Sequence, residues 1–89
     1  MILERIVIRN ELGLHARPAA EFVKAASKFK CNVQLAKDDE EWVNGKSVLG
    51  ILTLAVEHGD SLLLRIEAKG DAREEQRALE ILAAILQGN

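Results

Sequence analysis

The sequence predicts an α+β fold, a two-layer sandwich in the order βαββαβα. Three observations lead there: period-two alternation of apolar and polar residues recurs in separate short runs, apolar residues return at helical spacing between those runs, and Gly, Asn or Asp punctuates the junctions. Strands separated by helices, with one hairpin among them, assemble into a four-stranded antiparallel or mixed sheet whose helices stack on one face.

The first strand is read over Ile2 to Arg9, with Ile6 and Ile8 on one side and Arg5, Val7 and Arg9 on the other. Asn10 to Gly13 breaks the alternation. From Ala16 to about Lys28, Ala19, Phe22, Val23 and Ala26 form an apolar stripe opposite Glu21, Lys24 and Lys28, which predicts an amphipathic helix. Cys31, Val33 and Leu35 then alternate with Asn32 and Gln34; Asp38-Asp39 supplies a turn, and Trp42-Val43 begins the return strand of a hairpin.

After Asn44-Gly45, Ser47 stands as the N-cap of a short helix over Val48 to Leu54, weakened by Gly50. His58-Gly59-Asp60 is a further turn. Leu62, Leu64, Ile66 and Ala68 alternate with Leu63, Arg65 and Glu67 in the clearest strand pattern of the chain, which Gly70 ends. Asp71 with Glu74 is a capping pair for a last helix, whose stripe is Ala78, Leu79, Leu82, Ile85 and Leu86.

Composition narrows the functional classes. The 89 residues suffice for a single domain, read as residues 1–89, and 48 % apolar content is too high for a disordered chain. Twelve basic against fourteen acidic residues leave a net charge of -2 with no basic cluster, which argues against a nucleic-acid partner. Only Phe22, Phe29 and Trp42 are aromatic, too few for a base-stacking sheet. With Cys31 the sole cysteine, neither an internal disulfide nor a multi-cysteine metal site is available, and no metal or cofactor is expected. The N-terminus fits neither a signal peptide nor a membrane span, so the expectation is a cytoplasmic protein without membrane insertion.

Chemistry is expected at the first turn-to-helix junction, Gly13-Leu14-His15-Ala16-Arg17-Pro18. His15 occupies a position where Ser, Thr, Asp or Asn would cap better, and Pro18 is tolerated because it lies in the first turn. Unpaired amides and the positive end of the helix dipole suit such a junction to a phosphate-sized anion. That field disfavours a second proton on the imidazole, leaving a neutral ring able to attack phosphorus. Arg17 brings a planar donor fork to phosphoryl oxygens, and Ala16 keeps the approach open. The plainer reading is a surface histidine beside a solvated arginine.

The run Asn10-Glu11-Leu12-Gly13-Leu14-His15-Ala16-Arg17-Pro18-Ala19-Ala20, followed by Asn44-Gly45-Lys46-Ser47, resembles the histidine-containing phosphocarrier (HPr) family of the bacterial phosphoenolpyruvate-dependent phosphotransferase system. The resemblance spans essentially the whole chain. It implies an open-faced sandwich with a four-stranded antiparallel sheet and three helices on one face. It further implies a carrier, not an enzyme, that takes a phosphoryl group on His15 from enzyme I and passes it to enzyme IIA components, with Arg17 stabilising the anion.

Partner docking is implied on the active-site loop and two helices, here Ala16, Ala20, Lys24 and Lys28 with Val48, Leu49 and Leu52. About half of the last three are expected to fill the core instead. Lys24 and Lys28 also read as ordinary solvated charges. Ser47 matches the serine that a bifunctional kinase and phosphorylase modifies in part of the family, in addition to its capping role. A monomer is expected. Two other readings stay open: a Ser47-phosphorylated metabolic co-regulator, a class whose specialised members tend to lack the histidine, and the nitrogen-related branch of the same system. No role is assigned to Cys31, Trp42 or His58.

Overall fold

The structure, a computed structural model, describes residues 1–38 and 41–88. Seven elements follow the expected order: β1 (Ile2–Val7), α1 (Ala16–Ala26), β2 (Asn32–Lys37), β3 (Val43–Asn44), α2 (Val48–Thr53), β4 (Ser61–Glu67) and α3 (Ala72–Leu86). The four strands form one antiparallel sheet in the order β1-β4-β2-β3. The last strand in sequence therefore lies in the middle, with Ile66 opposite both Ile2 and Val33.

Alternation in β4 explains how the sheet divides its faces. Leu62, Leu64 and Ile66 are fully buried beneath the helices, whereas Leu63, Arg65 and Glu67 point to the other, open face. Trp42 belongs to that open face as well: the Arg65 guanidinium lies 4.2 Å from its ring centroid, and Arg65 also donates to the Gln34 side chain. Phe22, Leu35, Leu64, Leu82 and Leu86 are among the buried side chains of the single core between sheet and helices.

β1 is shorter than its alternation predicts, ending at Val7 instead of Arg9. The ladder nevertheless runs one residue further, because Ile8 donates to the Asp60 carbonyl and accepts from the Gly59 amide, both at 2.8 Å. Cys31 lies just before β2, buried, and burial pushes its thiol above the usual range. The hairpin turn contains Asp38 at φ 55; the expected turn residue Asp39 and the acidic neighbour Glu40 lie outside the described residues. α1 ends at Ala26, so Lys28 follows the helix.

Candidate functional site

Two segments that are distant in sequence meet at the entrance of α1. Gly13 (φ 67) turns the chain, and a Cβ there would come within 2.5 Å of the Val56 carbonyl oxygen, so only glycine fits. Leu14 is buried and its amide donates to the same carbonyl at 3.0 Å, which pins the loop against the segment following α2. His15 is then the N-cap, extended at φ -125 and ψ 167, with no side-chain cap hydrogen bond. Its ring is partly exposed and does not close back on the helix.

Ala16, the first helical residue, is left-handed at φ 48, a conformation that costs an L-residue about 1 kcal/mol. It is the feature of this junction that the motif gave least warning of. Pro18 is buried in the first turn and lacks an N–H, and the Ala19 amide reaches the His15 carbonyl only at 3.5 Å. Among the described residues, no acceptor takes the Ala16 or Arg17 amide, so both remain available beside the imidazole. Arg17 is exposed and makes no ion pair among the described residues.

The site is not the uniformly electropositive mouth that the sequence led us to expect. A carboxylate stands in it: Glu57 Oε2 lies 3.0 Å from His15 Nε2, with the two side chains 67 % and 35 % exposed. An ionised carboxylate only accepts, so Nε2 donates to it and Nδ1 is left with its lone pair in the neutral ring. Sequence reasoning missed Glu57 because it lies 42 residues from His15 and no local spacing links them.

Glu57 is itself held. Its amide donates to Asp60 Oδ2 at 2.8 Å, and Asp60 pairs with Lys37 at 3.2 Å. These contacts, the Glu57 amide first and Lys37 second, hold the Asp60 carboxyl below its usual range. Lys37 also donates to the Ala55 carbonyl, tying the segment to the end of β2.

Asn44-Gly45-Lys46-Ser47 folds as a compact entry to α2. Asn44 Oδ1 accepts from the Lys46 amide, and a Cβ on Gly45 would meet Val33 Cγ1 at 2.6 Å. Ser47 Oγ accepts from the Gly50 amide at 3.1 Å, an N-cap hydrogen bond. On α2 the expected division of its apolar residues is corrected. Val48, Leu49 and Leu52 are all exposed, at 39 %, 75 % and 39 %, while Ile51 and Leu54 supply the core contacts.

Leu12 is a further exposed apolar residue, on the loop before His15. Ala16, Ala20, Lys24 and Lys28 are exposed on and just after α1, and α1 packs against α2. Lys24 and Lys28 form no ion pair among the described residues. His58 is exposed in its turn beside Glu57. No group of three or more His, Cys, Asp or Glu among the described residues is arranged to hold a metal ion, and none of their helices is long and apolar enough to cross a membrane.

Comparison with known proteins adds the following. Residues 2–88 match the protein-family profile described as the PTS HPr component phosphorylation site. The chain is 44 % identical over 87 residues to the HPr-like protein Crh of Bacillus subtilis, covering 98 % of this chain and 96 % of that one. Its fold superposes on the crystal structure of phosphocarrier protein HPr from Bacillus anthracis with a TM-score of 0.85 at 38 % identity, covering 97 % and 96 %. It is also similar to a crystal structure of Bacillus subtilis Crh described as a domain-swapped dimer, with a TM-score of 0.72, 41 % identity and coverage of 98 % and 94 %.

Proposed function

The chain belongs to the HPr family of the phosphotransferase system, and from that premise we propose that it carries a phosphoryl group on Nδ1 of His15. In this reading enzyme I charges the histidine from phosphoenolpyruvate in the cytoplasm, and an enzyme IIA component of a sugar transporter discharges it. The observation that carries the proposal is the His15 ring itself. It is partly exposed at a helix entrance beside two unengaged amides, with its other nitrogen already occupied by a carboxylate.

Those surroundings match what a carrier must do. Nδ1 attacks phosphorus, and the amides of Ala16 and Arg17 together with the Arg17 guanidinium meet the oxygens on which negative charge accumulates. An open surface site lets a second protein approach in line and take the group. Docking is assigned to Ala16, Ala20, Lys24 and Lys28 with the exposed apolar row Val48, Leu49 and Leu52, and the exposed Leu12 is included in the same proposal. Incubation with enzyme I and phosphoenolpyruvate is expected to give an acid-labile, base-stable adduct, which His15→Ala abolishes. Failure of the wild-type chain to label with competent enzyme I contradicts the reading.

Similarity to Crh favours a second, compatible reading, in which Ser47 is phosphorylated by a serine kinase and the product acts as a metabolic co-regulator. A phosphate on Ser47 would add about -1.5 to -2 charge at the start of α2, within the assigned docking row. Retention of His15 with Arg17 favours carriage as the primary duty. Relative rates of labelling by enzyme I and by the serine kinase separate the two duties. Single-copy action is part of the proposal, and equilibrium sedimentation is the check, given the swapped dimer described for Crh.

A further inference from the structure

We propose that Glu57 is a positioning residue for phosphoryl transfer, its carboxylate holding hydrogen on His15 Nε2 so that Nδ1 faces phosphorus with a free lone pair. The inference rests on the phosphocarrier reading above. Its geometric basis is the 3.0 Å contact between Nε2 and Oε2. The backbone on each side of that contact is anchored.

On the histidine side, the Leu14 amide is fixed to the Val56 carbonyl, and Gly13 packs where no side chain would fit. On the glutamate side, Asp60 accepts the Glu57 amide and is itself paired with Lys37, while the Gly59 amide bonds Ile8 in the extension of β1. The bond therefore joins two segments whose backbones are already docked on each other. A carboxylate that merely drifted near a solvated ring would lack this support.

The chemistry follows without moving a proton. As the Nδ1 lone pair forms its bond to phosphorus, the bond from phosphorus to the donor breaks and its electron pair leaves with the donor. The hydrogen on Nε2 stays, so the phosphorylated ring carries a formal positive charge next to the Glu57 carboxylate. On delivery the Nδ1–P bond breaks and its electron pair returns to Nδ1. The leaving group is then a neutral imidazole, not the far more basic imidazolate. One carboxylate thus sets the tautomer for charging and protects the better leaving group for discharge. Because both side chains are partly exposed, solvent screens the interaction, and the expected contribution is several-fold.

The test compares wild type, E57A and E57Q, all expected to fold because the Glu57 side chain is exposed. Long-range proton–nitrogen spectra of the unphosphorylated protein, at a pH where the ring is neutral, report which nitrogen carries hydrogen. Wild type is expected to show the Nε2–H pattern, and E57A a measurable Nδ1–H fraction with phosphoryl transfer to and from His15 slowed about fivefold. The amide oxygen in E57Q accepts the same hydrogen bond, so E57Q should regain the pattern and most of the rate. An unchanged ring pattern in E57A overturns the proposal whatever the rate, as does a changed pattern with unimpaired transfer. If wild type accepts no phosphoryl group, the carrier reading fails instead, and the spectra remain a separate result.

Discussion

At the scale of single residues, the site is a compromise between anchoring and exposure. His15 is an N-cap in backbone geometry but not in hydrogen bonding, and forgoing the cap interaction leaves the ring available to Glu57 on one nitrogen and open on the other. Ala16 takes up the resulting turn in the left-handed region. Ala16→Gly is therefore expected to change stability in urea by less than about 0.5 kcal/mol, or to raise it, because the strain relieved offsets the added freedom of the unfolded chain. Ala19→Gly, inside the same helix and fully buried, should cost roughly 1 kcal/mol or more. His15, Arg17 and Pro18 were legible in the sequence because their meaning depends on neighbours three residues away at most. Glu57 was not, since only the packing of residues 13 and 14 against Val56 brings it to the ring.

Elements were legible in proportion to how much of their own pattern decides their orientation. β4 alternates without exception, and α3 spans fifteen residues, so its stripe of Ala78, Leu82 and Leu86 points one way only. The capping pair of α3 is half made: Asp71 accepts the Glu74 amide, but the Asp71 amide is taken by the Ala68 carbonyl and not by Glu74. α2 has six residues, fewer than two turns, and apolar side chains on almost every side. Its sequence could not tell which of them face the core; α2 packs against β3 and α1, and Ile51 is its fully buried residue. The exposed Leu49 that results has little to lose by substitution. Leu49→Glu is expected to shift stability by under about 0.5 kcal/mol, while weakening enzyme I binding several-fold in titration calorimetry. A large loss of stability with unchanged binding would assign Leu49 to the core.

Across the whole molecule, two carboxylates, Asp60 and Glu75, tie separate segments to the sandwich. Glu75, buried on α3, accepts the Ala68 amide at 2.8 Å and pairs with the Met1 amino group at 3.1 Å. The amide bond first, and the ammonium second, hold its carboxyl below the usual range. Asp60 is lowered likewise by the Glu57 amide and Lys37. A carboxyl depressed in the folded state binds its proton later than in the unfolded chain, so its stabilisation is complete above roughly pH 5 and is lost as acid takes pH through the folded value. Unfolding midpoints in urea should thus fall on acidification below that point, and less steeply in Glu75→Gln. An equal acid slope in the variant would remove Glu75 from the account.

Phosphoryl carriage by this protein comes down to the chemistry of one ring nitrogen. Nitrogen–phosphorus coupling in the enzyme I-charged protein, labelled with nitrogen-15 at histidine, locates the phosphoryl group directly. Coupling to Nδ1 of His15, with hydrogen still on Nε2, is the expected result. Phosphorus on Nε2, on another residue, or nowhere in the chain would contradict it.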